Sequence, residues 1–240
     1  MTLLTTVKNM KFKPYLKRIR RNIFEVVGNS KYSRPGLFDL DKKLQKYLNF
    51  RNGLFIEVGA NDGFNQSNTY YLEKFMGWTG ILVEPIPELF QEAQLNRRKS
   101  SIFNCALVSN DFRESFVEMH YANLRSLVDG SYKNREREES HIKAGLETQN
   151  IKYSYDIKVQ ARTLESILDE CKVSRKVDFL SLDVEGYELN VLQGLNLEKY
   201  GPTYILVEAN HLNEVNSYLE SRYVMLEKLT LHDYLYKSVL

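Results

Sequence analysis

Along this chain, hydrophobic residues fall into two periods. Short runs are apolar at most positions, and the stretches between them carry apolar residues three and four apart. The runs Leu54–Val58, Gly80–Val83, Ile102–Val108, Val177–Leu182 and Thr203–Val207 predict buried strands. The stretches Ser67–Met76, Ile86–Arg98, Leu164–Cys171, Tyr187–Leu195 and His211–Ser221 predict helices. Ser115–Tyr121 and Val159–Arg162 read as extended chain. The segments Tyr223–Leu229 and Tyr234–Tyr236 alternate as an antiparallel pair does. Strand followed by helix, repeated, predicts an α/β fold whose parallel sheet is covered on both faces.

Upstream of the first strand the pattern is helical and basic. Pro14 is expected in the first turn of a helix whose Leu16, Ile19, Ile23 and Val27 share a face, with Lys and Arg between them. Such a helix suits packing on its own domain, an anionic membrane surface or an acidic partner. A turn-rich stretch, Gly28 to Gly36, follows, and then a helix over 38–50 with Leu40, Leu44 and Leu48 in step. The chain therefore divides into a basic tail, residues 1–36, and a domain, residues 37–240. Within the domain, residues 122–156 are charged and rich in turn formers, with Arg135-Glu136-Arg137-Glu138-Glu139 at their centre. They read as an insertion, either a lid over a site or a solvated excursion.

At 240 residues the chain is long enough for a sizeable core without a disulfide scaffold. Its two cysteines, Cys105 and Cys171, form no C-x-x-C pair, which excludes redox motifs and cysteine-based zinc sites. The apolar run Tyr204–Val207 is far too short to span a bilayer, and the N-terminus lacks the apolar core of a secretory signal. These features predict a cytoplasmic protein, with peripheral contact at the inner membrane face through the tail. The formal net charge of +2 hides an asymmetry. Lys8, Lys11, Lys13, Lys17, Arg18, Arg20 and Arg21 precede the first acid, Glu25; the rest of the chain holds 26 basic against 31 acidic residues. An acidic body argues against a nucleic-acid-binding face.

In an open parallel sheet, ligands bind beyond the carboxyl ends of the strands. The first strand runs into Glu57-Val58-Gly59-Ala60-Asn61-Asp62-Gly63. Two glycines let the backbone turn sharply, but Glu57 and Asp62 would repel a pyrophosphate and suit an ammonium or sulfonium. Only two glycines of a G-x-G-x-x-G pattern are present, which weakens a dinucleotide-dependent oxidoreductase reading. The second strand ends in Glu84-Pro85, 25 positions after Gly59, where a carboxylate can hold a ribose diol. The third ends in Asn104-Cys105-Ala106-Leu107, whose small residues leave room for a flat base. The fourth ends in Asp183-Val184-Glu185-Gly186-Tyr187-Glu188 and the fifth in Glu208-Ala209-Asn210-His211. Asp183 and Glu208 are expected to converge on one mouth.

The run Phe55 to Val108, with Ser67-Asn68-Thr69 and Gly77-Trp78-Thr79-Gly80, resembles the FkbM-type methyltransferases, and Asp183 to Glu188 is similar to that family's second hallmark. The resemblance covers about residues 50–230. It implies a Rossmann-like class I methyltransferase fold, a mostly parallel seven-stranded sheet with a reversed last strand, that binds S-adenosylmethionine. Gly59 and Gly63 would pass under the methionine part, Glu57 or Asp62 would pair with its ammonium, Glu84 would hold the ribose, and residues near Ala106 would line the adenine. The expected cofactor set is Glu57, Gly59, Ala60, Asn61, Asp62, Gly63, Glu84, Pro85, Cys105, Ala106 and Asp183. The resemblance implies an acceptor hydroxyl on a sugar, polysaccharide or natural product.

For a base that takes the hydroxyl proton, the candidates are Asp183, Glu185, Glu208, His211 and His120, with Asp183 favoured for its place at the mouth. Asp183, Glu208 and Asn210 would also form an all-oxygen set that suits Mg²⁺. Tyrosines near the mouth, among them Tyr70, Tyr121 and Tyr187, suit sugar rings. The competing reading is a partner-binding domain that keeps the fold without catalysis.

Overall fold

The computed structural model describes residues 3–121, 127–128 and 155–239, with side chains described from Tyr15 to Met119 and from Tyr155 to Val239. Its main sheet has seven strands. In chain order these are β1 (Leu54–Val58), β2 (Thr79–Val83), β3 (Ser101–Phe103), β8 (Phe179–Leu182), β9 (Tyr204–Glu208), β10 (Tyr223–Lys228) and β11 (Asp233–Ser238). They lie in the order β10-β11-β9-β8-β1-β2-β3. The run from β3 to β9 is parallel, and β11 is antiparallel to both β9 and β10. This is the Rossmann-like methyltransferase sheet, with the reversed strand inserted one place from the edge.

Strand alternation explains the two cores. Ile56, Val58, Ile81, Val83, Leu180, Leu182, Ile205 and Val207 point to one face and pack against the helices Leu164–Glu170, Glu188–Gln193 and Leu212–Leu219. Phe55, Leu82, Phe179 and Leu206 point to the other, against Trp78, Leu72 and the leucines Leu40, Leu44 and Leu48. Both faces are covered, so these strands carry no polar stripe except where a site needs one.

The structure corrects the sequence reading at several boundaries. The stretch Ile102–Val108 is not one strand. It breaks at Asn104, whose Nδ2 donates to the carbonyls of Glu84 and Pro85, and resumes as β4 (Ala106–Leu107) in a second sheet. That sheet, ordered β4-β7-β5-β6, includes β5 (Phe116–Tyr121), β6 (Leu127–Val128) and β7 (Tyr155–Arg162), the last starting four residues before the expected Val159. The expected insertion, 122–156, leaves from the end of β5 and returns at β7; apart from residues 127–128 and 155–156 it lies outside the described residues. Of the helix expected over 38–50 only α2 (Leu40–Leu44) forms, after a 3₁₀ turn, Leu37–Asp39, that positive φ at Phe38 and Asp39 sets apart from it.

The first helix, α1 (Leu3–Val26), runs through Pro14 instead of starting there. It docks on the domain through Arg21, not through its apolar stripe. Arg21 is 6% exposed, its guanidinium lies 3.6 Å from the ring centre of Phe64, and its Nη2 donates to Asn96 Oδ1 at 2.9 Å. Glu25 accepts from Tyr70 and Ser33 at 2.8 Å each.

Candidate functional site

The order of the sheet reverses between β1 and β8, and the carboxyl ends of the strands there frame a cleft. Of the expected cofactor residues, Glu57, Gly59, Ala60, Asn61, Glu84, Pro85, Cys105, Ala106 and Asp183 line it. Val83, Leu89, Leu107 and Met119 add apolar wall, Met119 coming from the second sheet.

Gly59 is fixed by packing. Its φ is +78°, and a Cβ there would stand 1.9 Å from the carbonyl oxygen of Asp183. The two strand ends meet too closely for any side chain. The loop then bonds to the neighbouring strand: Gly59 and Ala60 donate their N–H groups to Val83 O, and Asn61 N donates to Glu84 Oε2 at 2.7 Å. Glu84 Oε1 accepts from Ile86 N at 3.0 Å. Burial nevertheless pushes the Glu84 carboxyl up to about 7, against the pull of the two amides.

Asp62 and Gly63 do not line the cleft. Asp62 turns back on its own loop, accepting from the amides of Phe64 and Asn65 and from Asn65 Nδ2. Gly63 makes room for α4 (Pro87–Asn96) and the residue after it, since a Cβ would meet Arg97 Cγ at 2.7 Å. Glu57 reaches the cleft, but its oxygens accept from Ser67, Thr69, the amide of Asn68 and Arg97 Nη1. The acids expected to pair with an ammonium are thus engaged in holding the loop.

Their anchor, Arg97, was not singled out by the sequence reading. It is 1% exposed and donates to Glu57, to Glu73, to the Gly63 carbonyl, to Ser67 and to Thr69. No spacing signal could have found it, because its partners lie 24–40 residues away. Asn68 belongs to the Ser67-Asn68-Thr69 motif, but the motif assigns it no role. Its Nδ2 donates to Ser181 Oγ at 3.1 Å, while its Oδ1 is buried without a hydrogen-bond partner; the residue lines the cleft.

A second cleft adjoins the first and shares Gln66, Asn68, Ser181 and Asp183 with it. Glu208, Asp233 and His232 supply polar groups, and Leu37, Phe38 and Leu231 form an apolar rim. Asp233 faces Glu208 across the β9–β11 ladder. Burial, together with Glu208, Glu185, Glu188 and Asp233, raises the Asp183 carboxyl well above the usual carboxylate range. Glu188 is pushed up to about 7, mainly by burial, and Asp233 is raised for the same reason. Asp183 and Glu208 therefore do converge as expected. Glu185 lines the first cleft at positive φ, whereas His211 borders neither cleft; it precedes the helix Leu212–Leu219. The side chain of His120 lies outside the described residues. Among the described residues no group of three or more His, Cys, Asp or Glu side chains gathers as a metal site, and Asn210 is exposed.

The first cleft fits S-adenosylmethionine on its own chemistry. It offers a carboxyl at the end of β2, Glu84; apolar walls that suit a base, Val83, Leu89, Ala106 and Leu107; and an unpartnered buried acceptor, Asn68 Oδ1.

A family model described as the methyltransferase FkbM domain matches residues 57–236. No curated protein sequence matches the chain. Among solved structures, a SAM-dependent methyltransferase from Aquifex aeolicus is 13% identical, with 87% of this chain and 93% of that one covered and a TM-score of 0.43. A SAM-dependent methyltransferase from Thiobacillus denitrificans, in complex with S-adenosyl-L-homocysteine, is 10% identical, covering 86% of this chain and 72% of that one with a TM-score of 0.38. These likenesses are distant.

Proposed function

This chain belongs to the FkbM family of S-adenosylmethionine-dependent methyltransferases, and from that premise we propose that it methylates a hydroxyl of a sugar or polysaccharide, with Asp183 as the base. The observation that carries the proposal is the position of Asp183. It borders both clefts, and its carboxyl is raised well above the ordinary carboxylate range. A base works best when its pKa approaches the working pH, and proton removal by such a group contributes about 10²–10⁴-fold.

S-adenosylmethionine supplies the electrophilic methyl group when bound. The chain's own residues do the rest. Glu84 would hold the ribose, the apolar wall the base, and Asn68 Oδ1 a donor on the methionine part. Asp183 would take the acceptor's hydroxyl proton onto its carboxylate. Holding two reactants in line is the larger share of the work, roughly 7–11 kcal/mol in well-oriented systems. In the second cleft, Glu208 and Asp233 suit the hydroxyls of a sugar, and Phe38 and Leu231 suit its C–H face. The clustered carboxylates repel an anionic acceptor, so the reacting sugar is neutral. The apolar rim also supports a second reading, in which the acceptor is a hydroxylated natural product.

The test is methyl transfer to a panel of neutral and anionic saccharides, read by mass spectrometry, with Asp183→Asn beside the native protein. Turnover of the variant is expected to fall about 10²–10⁴-fold, with S-adenosylhomocysteine affinity retained. Loss of that affinity would make Asp183 a cofactor or structural residue, and transfer to amines alone would overturn the hydroxyl acceptor.

A further inference from the structure

The docking of α1 leaves its apolar stripe facing away from the protein. Arg18, Arg21 and Glu25 sit three and four residues apart and form the face turned to the domain. Leu16, Ile19, Ile23 and Val27 are offset from them by two positions, about 200° around a helix of 3.6 residues per turn. Leu16 is 56% exposed, Ile23 58% and Val27 73%. Val26 and Tyr15 are also exposed. A row of large apolar side chains open to water on a helix that is already anchored calls for an occupant.

Charge identifies that occupant. Lys17 and Arg20 flank the stripe and are exposed. Arg20 and Lys31 both stand on the ring of Tyr32, at 3.9 and 5.6 Å. The first acid in the sequence, Glu25, is bound to Tyr70 and Ser33 on the docked side. No described helix is long and apolar enough to cross a membrane. An apolar stripe bordered by cations and an aromatic ring, on a helix too charged to span, is the pattern of a helix that lies in a bilayer interface. The acidic body, with 26 basic against 31 acidic residues after position 24, is repelled by the same surface and so turns the helix side toward it.

We propose that the outward face of α1, formed by Leu16, Ile19 and Ile23 with Lys17 and Arg20 and continued by Val27 in the turn that follows, docks the protein on an anionic lipid bilayer. The first half of the interaction is burial of the stripe among the acyl chains. The second is attraction of the cations to lipid phosphates, which screening by salt weakens.

Flotation of the full-length protein with vesicles tests this. Native protein should float with vesicles of phosphatidylcholine and phosphatidylglycerol and not with phosphatidylcholine alone. Raising the salt until the Debye length falls from about 10 Å to about 3 Å should release it. Leu16→Gln with Ile23→Gln keeps good helix formers on the helix and should abolish flotation. Lys17→Glu with Arg20→Glu should weaken it by more than about tenfold. The Leu16→Gln, Ile23→Gln variant should melt as the native protein does, and both variants should bind S-adenosylhomocysteine equally well, because neither pair touches the clefts. Failure of the native protein to float, or flotation that the Leu16→Gln, Ile23→Gln variant retains, would overturn the proposal. A dimer that this variant abolishes, without vesicle binding by the native chain, would instead assign the face to a second copy.

Discussion

The Glu84 carboxyl accepts from two backbone amides and still titrates at about 7, because removal from water outweighs both bonds. A ribose that donates to it favours the charged form, so binding lowers its pKa and releases a proton between the lowered value and about 7. The affinity for S-adenosylhomocysteine should therefore fall as the pH drops through 7 and level off above it. At pH 6 binding is expected to be about tenfold weaker than at pH 8. Calorimetric titration across this range measures it, and Glu84→Gln should remove the slope. An affinity that is flat from pH 6 to 8 would show that the ribose is held elsewhere. At the same scale the loop acids are engaged within the protein: Glu57 and Asp62 accept hydrogen bonds from Arg97 and from their own loop.

Between elements, one guanidinium fastens the site. Arg97 follows the last turn of α4 and joins it to Glu57 on β1 and to Glu73 on α3 (Tyr70–Phe75). A buried ion pair adds little net stability over an apolar replacement, but removing one partner strands the others. Arg97→Met would leave two carboxylates buried without their cation and should cost about 3–5 kcal/mol. Urea unfolding reads this directly. A loss under about 1 kcal/mol would mean that the two carboxylates are readily hydrated or protonated without Arg97. The element scale also separates the two faces of α1. The face that docks is held by cation–π and hydrogen bonds from Arg21, and the face that shows the sequence periodicity is the one left in water.

For the whole molecule, the mouth of the sheet gathers carboxyls that burial raises: Glu84, Asp183, Glu188 and Asp233. The native state keeps protons there that the unfolded chain has released, over the window from the ordinary carboxyl pKa to about 7. Stability should accordingly fall as the pH rises through that window. The carboxylates whose pKa is lowered, such as Asp169 and Glu227, act below the window and do not oppose this. Scanning calorimetry of the ligand-free protein should give a higher Tm at pH 6 than at pH 8. A Tm that rises with pH instead would show that these carboxyls are solvated or paired in the native state.

Much of this protein is determined by local pattern. Apolar runs fix where the parallel strands lie, and a parallel sheet collects its strand ends on one edge. Gly59, Glu84, Asp183 and Glu208 could therefore be assigned to one mouth from sequence order alone, and the resemblance in their motifs supplied the reversed strand. Tertiary structure decided what spacing cannot express. It placed Arg97 against Glu57 across 40 residues, turned Asp62 and Gly63 away from the cleft, and left Asn68 Oδ1 buried and unpartnered. It also chose which side of α1 meets the domain. Periodicity says which residues share a face; only packing through space settles what that face touches, because burial and partners belong to pairs of distant residues and not to positions along the chain.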